Sequence, residues 1–207
     1  MIIAVDGPTA SGKGTIARAL AAHYRLPHLD TGLLYRAVGY QVALNGGDPN
    51  QPIDALAGTD FPDSLLDNPE LRSEASGGLA SRVSVHPKVR RALFERQRDF
   101  AVQPGGAVLD GRDIGTVIAP DADVKLFVTA SVEARAMRRW KEMQLRGETH
   151  ALEEIEEDLR RRDQRDRSRT TAPLMAAADA IMLDTTDMGP AEAVDAAIAA
   201  VERAFGG

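Results

Sequence analysis

Nine residues near the N-terminus constrain this chain more than any others. Gly7-Pro8-Thr9-Ala10-Ser11-Gly12-Lys13-Gly14-Thr15 follows the apolar, β-branched run Ile2-Ile3-Ala4-Val5, which has the character of a buried parallel strand. It precedes Ile16, Ala17, Leu20, Ala21 and Tyr24, which recur at the helical period. The glycine-rich segment therefore sits where a strand turns into a helix N-terminus. In that place glycines let successive N–H groups point at one anion, the helix dipole adds positive potential, and Lys13 can reach terminal phosphates. The stretch reads as a phosphate-binding loop whose natural ligand is a nucleoside triphosphate. It departs from the strict GxxxxGK[ST] pattern, because Gly14 holds the hydroxyl position and Thr15 follows one residue late. Thr15 is then the candidate hydroxyl near a magnesium ion, with more of the metal's shell left to water and phosphate oxygens.

The same alternation continues along the chain. Leu26 to Asp30 reads as a short strand ending on a carboxylate, with Thr31 as N-cap of a helix through about Leu44. Tyr35 and Arg36 lie one turn into that helix. From Gly46 to about Leu66 the text is loop-like, with a breaker cluster over 46–52. A helix from Pro87 to Phe100 carries Val89, Leu93 and Phe100 on its apolar face, with Arg90 and Arg91 near its start. Ala107-Val108-Leu109-Asp110 is a third strand, delivering Asp110-Gly111-Arg112-Asp113 at its C-terminal end. Asp110 is a candidate for orienting magnesium-bound water, or else a turn cap. Val124–Val128 is the fourth strand. Ser131 caps a helix with Val132, Met137, Trp140 and Met143, ending near Gly147. A fifth strand, Ala180–Leu183, precedes a helix with Val194, Ala197, Ile198, Val201 and Phe205 on one face.

Strands alternating with helices imply a parallel sheet covered on both faces, an α/β architecture in which ligands bind at the C-terminal strand edge. That edge gathers the glycine-rich loop, Asp30, Asp110 and the arginines after them.

GPTASGKGT, LDTGLLYR, HPKVRRAL, LDGRDIGT and RRDQRDRSR, in this order over nearly the whole chain, resemble the bacterial cytidylate kinases. The resemblance implies a nucleoside-monophosphate-kinase fold with a five-stranded parallel sheet in the order 2-3-1-4-5. It also implies transfer of the γ-phosphoryl group of ATP, with Mg2+, to CMP or dCMP. Under it residues 1–207 form one kinase domain, with an acceptor-binding region at 31–100, an insert at about 46–84 and a mobile helical lid at 148–170. The resemblance puts Thr31 and Arg36 at the acceptor ribose and phosphate. Ser81, Arg90 and Asp113 would read the cytosine edge, and Arg112 would hold the acceptor phosphate. Arg162 and Arg169 would lie at the reacting phosphates and Asp166 at the acceptor sugar. The residue chemistry is compatible: a carboxylate accepts from the cytosine amine, and arginine satisfies its carbonyl and ring nitrogen. Asp113 is also explicable as a turn residue. The longer family form carries a small antiparallel sheet in the insert. Here only 35 residues separate Asn45 from Ser81, without a run of alternating strands, so a trimmed, partly helical insert is expected.

The charged segment carries its own argument. On a helical wheel Leu152, Ile155 and Leu159 form an apolar stripe that continues onto Arg162, Asp166 and Arg169, with Arg165 beside them. Arg160 and Arg161 fall on the solvated side, facing Glu156 and Glu157. Buried guanidinium groups need anions, so the inward arginines are expected to take phosphates and, without them, to repel one another and let the segment move.

A net charge of −6 argues against general attraction to nucleic acid or anionic membrane. With no cysteine, disulfides and thiol chemistry are out, and the four histidines show no metal-ligand or triad spacing. No run approaches the length of a membrane span, and no signal peptide is read before the first strand. A cytoplasmic monomer with small-molecule substrates is expected. The rival readings are another small P-loop kinase, acting on UMP or a non-nucleotide alcohol, a nucleotide-dependent switch, or a nucleic-acid ATPase. Arg36, Arg90 and Arg112 favour a phosphorylated acceptor. No Asn-Lys-x-Asp motif supports the switch, and few aromatics are available for stacking on bases.

Overall fold

The computed structural model describes residues 1–205. Five strands are observed: β1 Ile2–Asp6, β2 His28–Asp30, β3 Ala107–Gly111, β4 Val124–Thr129 and β5 Ile181–Asp184. Their order in the sheet is β2-β3-β1-β4-β5. β1 lies at the centre. Ile3 is in register with Val108 of β3 on one side and Val124 of β4 on the other, both parallel. Parallel strands covered on both faces need apolar side chains in both directions. Ile3, Ala4, Val5, Val108 and Leu109 are accordingly all fully buried.

The chain divides into two compact units, one of residues 1–28 and 101–207, the other of residues 29–100. In the first, α1 (Lys13–Tyr24) and α8 (Pro190–Phe205) pack Ile16, Leu20, Ala197 and Val201 onto Ile3, Val5, Leu126 and Val128. Phe205 does not join this face. It is half exposed, and Ala193 and Ala200 take the inner positions instead. Two further helices, α6 (Val132–Leu145) and α7 (Leu152–Ser168), make a small cluster of their own from Ala136, Met143, Ile155 and Leu159, with Val132 and Trp140 against it. Ser131 caps α6 by accepting from the Ala134 N–H at 3.1 Å. Met137 points outward, one position off the stripe expected for it.

The second unit is helical. It holds α2 (Thr31–Leu44), α3 (Pro52–Ala57), α4 (Glu74–Val83) and most of α5 (Pro87–Val102), with short 3-10 turns at Asp63–Asp67 and Pro69–Arg72. Asp30, not Thr31, occupies the N-cap position of α2, and its side chain makes no capping bond. Thr31 is instead the first helical residue and is buried. Segment 46–84 contains no strand and more helix than its polar text announces. α3 starts at Pro52, the last residue of the breaker cluster, and α4 is capped by Ser73, which accepts from the Ser76 N–H at 3.2 Å. A side chain at Gly39 of α2 would press to 2.6 Å from Leu79 Cβ on α4, so glycine there sets how closely the two helices approach. Leu34, Val38, Val42, Leu71, Val83 and Leu93 form this unit's core.

Candidate active site

β1 delivers its last residue, Asp6, directly into the glycine-rich loop. A Cβ on Gly7 would collide with the carbonyl oxygen of Val128 on the neighbouring strand, so only glycine lets the chain leave the sheet there. Ala10 and Gly12 both adopt left-handed backbone, with φ 62° and 89°. Gly12 accepts the first helical N–H bonds, from Thr15 and Ile16 at 3.0 and 3.1 Å, so α1 begins at Lys13 with its N-terminus bare of any side-chain cap. Ser11 is fully buried and its hydroxyl oxygen has no hydrogen-bond partner among the described residues. The loop borders a cavity of about 570 Å3 lined by Gly12, Lys13, Thr15, Arg138, Thr185 and Pro190, among others. That volume is of the size that encloses a nucleotide.

Asp110, near the end of β3, is buried, and a side chain on Gly14 would stand 3.2 Å from its Oδ2. Glycine at the usual hydroxyl position of the loop therefore leaves room for a carboxylate. The other oxygen, Oδ1, lies 3.4 Å from His28 Nε2. His28, read from sequence as a strand residue without chemistry, is thus brought to the candidate metal-orienting group by strand order, which sequence spacing does not reveal. Thr15 is exposed, and Arg18 Nη2 stands 3.4 Å from its Oγ1. Among the described residues no cluster of three or more His, Cys, Asp or Glu forms a ready-made metal cage. One buried carboxylate and one hydroxyl fit Mg2+, a hard ion that keeps most of its waters and phosphate oxygens.

Arg112 ties three segments together. Its Nη2 donates to Thr9 Oγ1 of the loop at 2.7 Å, and its Nε donates to Asp166 Oδ2 of α7 at 2.9 Å. Asp113 is buried. Its backbone carbonyl accepts from Val117 and Ile118, so the main chain closes the turn. The helical-wheel argument holds for α7: Arg162, Asp166 and Arg169 are buried, whereas Arg160 and Arg161 are exposed. Arg160 pairs with Glu156 at 2.9 Å as expected, but Arg161 meets Asp158 at 3.8 Å rather than Glu157. The expectation that the inward arginines lack countercharge is corrected. Arg162 Nε lies 2.7 Å from Asp158 Oδ2, and Arg169 contacts Asp166 through both its backbone carbonyl and its carboxylate. Carboxylates three and four residues earlier on the same helix reach these guanidinium groups, so the stripe is neutralised from within.

In the second unit, Arg90 is buried with its guanidinium 5.3 Å from the centre of the Tyr35 ring, and it also donates to the Ser84 carbonyl. Arg36 directs Nη1 to the carbonyls of Leu71 and Ser73, both at 2.9 Å. Ser81 sits on α4.

Three groups escaped the sequence reading. Arg135 of α6 donates to the carbonyls of Ala130 and Thr9 and forms a two-point ion pair with Asp163 of α7 at 3.1 and 2.6 Å, wholly buried. Asp163 lies four residues after Leu159, so the same wheel pointed to it. Arg138 grips the segment after β5, donating to Thr185 Oγ1 at 3.1 Å and to the Thr185 carbonyl. Asp6 accepts the N–H groups of Ile114 and Gly115. The signal for it was an apolar strand ending on a carboxylate, the pattern noticed at Asp30 and Asp110.

A structure from Eubacterium ventriosum, described as an uncharacterized protein, is similar with a TM-score of 0.57 at 16% identity, covering 100% of this chain and 99% of that one. At that identity it speaks for the fold alone. Sequence relatives are nearer. A "Cytidylate kinase" of Caulobacter sp. (strain K31) is 54% identical over 98% of this chain and 94% of its own length. One of Azorhizobium caulinodans is 52% identical over the full length of both. The family model described as "Cytidylate kinase" matches residues 3–203, and with full-length identities above one half this chain belongs to the cytidylate kinase family.

Proposed function

We infer that this chain transfers the γ-phosphoryl group of ATP to CMP, giving ADP and CDP. The observation that carries the reading, beyond family membership, is the convergence on Arg112 of the donor loop, through Thr9, and of α7, through Asp166. Phosphoryl transfer requires little covalent chemistry. It requires in-line positioning and positive charge around a spread anion, which Lys13, Arg112, Arg162 and Arg169 supply. Lys13 holds the donor phosphates at the start of α1, and the bare N–H groups of loop and helix donate to their oxygens. Arg162 and Arg169 exchange Asp158 and Asp166 for the reacting phosphates, and Asp166 turns to the acceptor sugar. Asp110 and Thr15 would hold Mg2+, which would supply positive charge to the donor phosphates.

Acceptor recognition belongs to Thr31, Arg36, Ser81, Arg90 and Asp113. Arg90 is held by the Tyr35 ring and Asp113 by its turn, so both present fixed groups with little entropy left to lose on binding. A carboxylate accepts from the exocyclic amine of cytosine and opposes the carbonyl that uracil places there. dCMP is proposed as a second acceptor. The enzyme is proposed to work as a monomer in the cytoplasm. No helix among the described residues is long and apolar enough to cross a membrane. A panel of nucleoside monophosphates with MgATP, scored for ADP formation, tests the reading. CMP is expected to give the highest kcat/KM. Failure of CMP to turn over, or preference for another acceptor, would overturn it.

A further inference from the structure

Asp6 plays no part in the chemistry above, yet it stands at its centre. It is the last residue of β1, directly before the donor loop, and is paired across the sheet with Gly111 on one side and Phe127 on the other. Its backbone is thus held by neighbours on both edges. The chain after β3 is different. Beyond Gly111 it leaves the sheet, passes through Arg112 and Asp113 with Asp113 outside regular structure at φ −145° and ψ 25°, and enters one wide turn at Ile114–Ile118. No strand pairing holds it there.

Besides the bonds of Arg112 to Thr9 and Asp166, the start of this turn is tied to β1 by the Asp6 carboxyl group. Oδ1 accepts the Ile114 N–H at 2.9 Å and Oδ2 accepts the Gly115 N–H at 2.8 Å, across 108 and 109 residues of sequence. Asp6 and Ile114 are buried, so these N–H groups have no access to water, and leaving them unmade would cost the full desolvation of each. A carboxyl group sets an oxygen against each of the two N–H groups, whereas the amide of the same length has only one oxygen to offer. The fit is tight from above as well: a Cβ on Gly115 would lie 3.1 Å from Lys125 Cδ and 3.5 Å from Asp6 Oδ2.

We propose that Asp6 is a positioning residue for the transfer reaction, a two-point brace that fixes the Arg112-Asp113 segment against the strand that carries the donor loop. The inference rests on the reading in which Arg112 holds the acceptor phosphate. Asp6 touches no substrate and acts through Arg112 and Asp113 alone. Because β1 is anchored by its own pairing, loss of the brace displaces the acceptor side and leaves the donor loop in place.

The test is a double-mutant cycle between Asp6→Asn and Arg112→Ala. The amide of Asp6→Asn keeps one acceptor and turns an N–H2 toward the second backbone N–H, so it opens half of the brace at constant volume. Misplacement of a positioning group by an ångström costs up to about 100-fold in rate. Asp6→Asn is therefore expected to lower kcat/KM for CMP about 10- to 100-fold while KM for ATP stays within about twofold. In the Arg112→Ala background the same change should cost at least about threefold less than in the wild type, since one of the two groups it positions is gone. Losses that multiply, an equal rise in KM for ATP, or no loss at all would overturn the brace. Near-normal turnover by Arg112→Ala alone would instead overturn the acceptor-phosphate reading of Arg112, a result distinct from all of these. If Asp6→Asn does not fold, Gly115→Ala perturbs the same brace from its other end and enters the same cycle with the same expected pattern.

Discussion

Arg135 and Asp163 form a two-point ion pair between α6 and α7, with both side chains nearly inaccessible to solvent and a third arm of contact running from Arg135 Nη1 to the Thr9 carbonyl of the donor loop. The pair ties the arginine-bearing helix to the glycine-rich loop. Removing one partner of such a pair strands the other charge in a dry environment. Asp163→Asn is expected to destabilise the protein by about 3 to 5 kcal/mol, read as a fall in Tm. Replacing both partners with apolar residues of similar volume should recover most of that stability while turnover stays low, because the packing is restored and the link to Thr9 is not.

Lys13→Ala should lower kcat by a factor of about 10² to 10³ with the fold intact. The residue begins α1 and contributes nothing to the apolar core. Steady-state kinetics with circular dichroism separate the two effects, and near-normal turnover would displace Lys13 from the donor site.

Arg162→Ala is expected to reduce turnover far more than Arg160→Ala. The first guanidinium is buried on the inner face of α7, and the second is a solvated partner of Glu156. Exposed pairs of that kind contribute about 0.3 to 0.5 kcal/mol, so Arg160→Ala should change kcat by less than about twofold. Equal losses would refute the distinction between the faces.

Asp113→Asn should narrow the ratio of kcat/KM for CMP over UMP. An amide can donate to the uracil carbonyl as well as accept from the cytosine amine. An unchanged ratio would remove Asp113 from base recognition.

Burial pushes the Asp6 carboxyl up to about 7, against the two backbone N–H bonds and Arg112, which favour the charged form, and in concert with the like charge of Asp113. Lys125 faces the brace only with its stem, since its ammonium is engaged by Asp179 and the Pro120 carbonyl. The native state thus holds a proton that the unfolded chain releases near pH 4. The stabilisation from Asp6 is full below that pH, declines as pH rises, and is gone above about 7. Relative to Asp6→Asn, the wild-type protein should lose stability between pH 5 and pH 8, by an amount on the order of several kcal/mol across the whole window. Parallel Tm curves for the two proteins over that range would contradict the shift.

Much of this molecule is legible in local pattern. The strand-loop-helix order around Lys13, the five short apolar strands and the apolar stripe of α7 follow from side-chain periodicity and backbone preference, which act over a few residues and leave their trace in the text. The same stripe places Arg162, Asp166 and Arg169 inward, as the structure has them. What local pattern does not hold is partnership. Asp6 reaches Ile114 and Gly115, and His28 reaches Asp110, only because the strand order β2-β3-β1-β4-β5 sets β1 and β2 on either side of β3, and Arg135 reaches Asp163 only because α6 packs on α7. The countercharge of the arginines is a third dimension of the same problem: periodicity says which face is buried, but rotamers and packing decide that Asp158 meets Arg162 and Asp166 meets Arg169. Directional contacts between buried polar groups depend on where backbones converge to within a few tenths of an ångström, and that convergence exists only once the fold has formed.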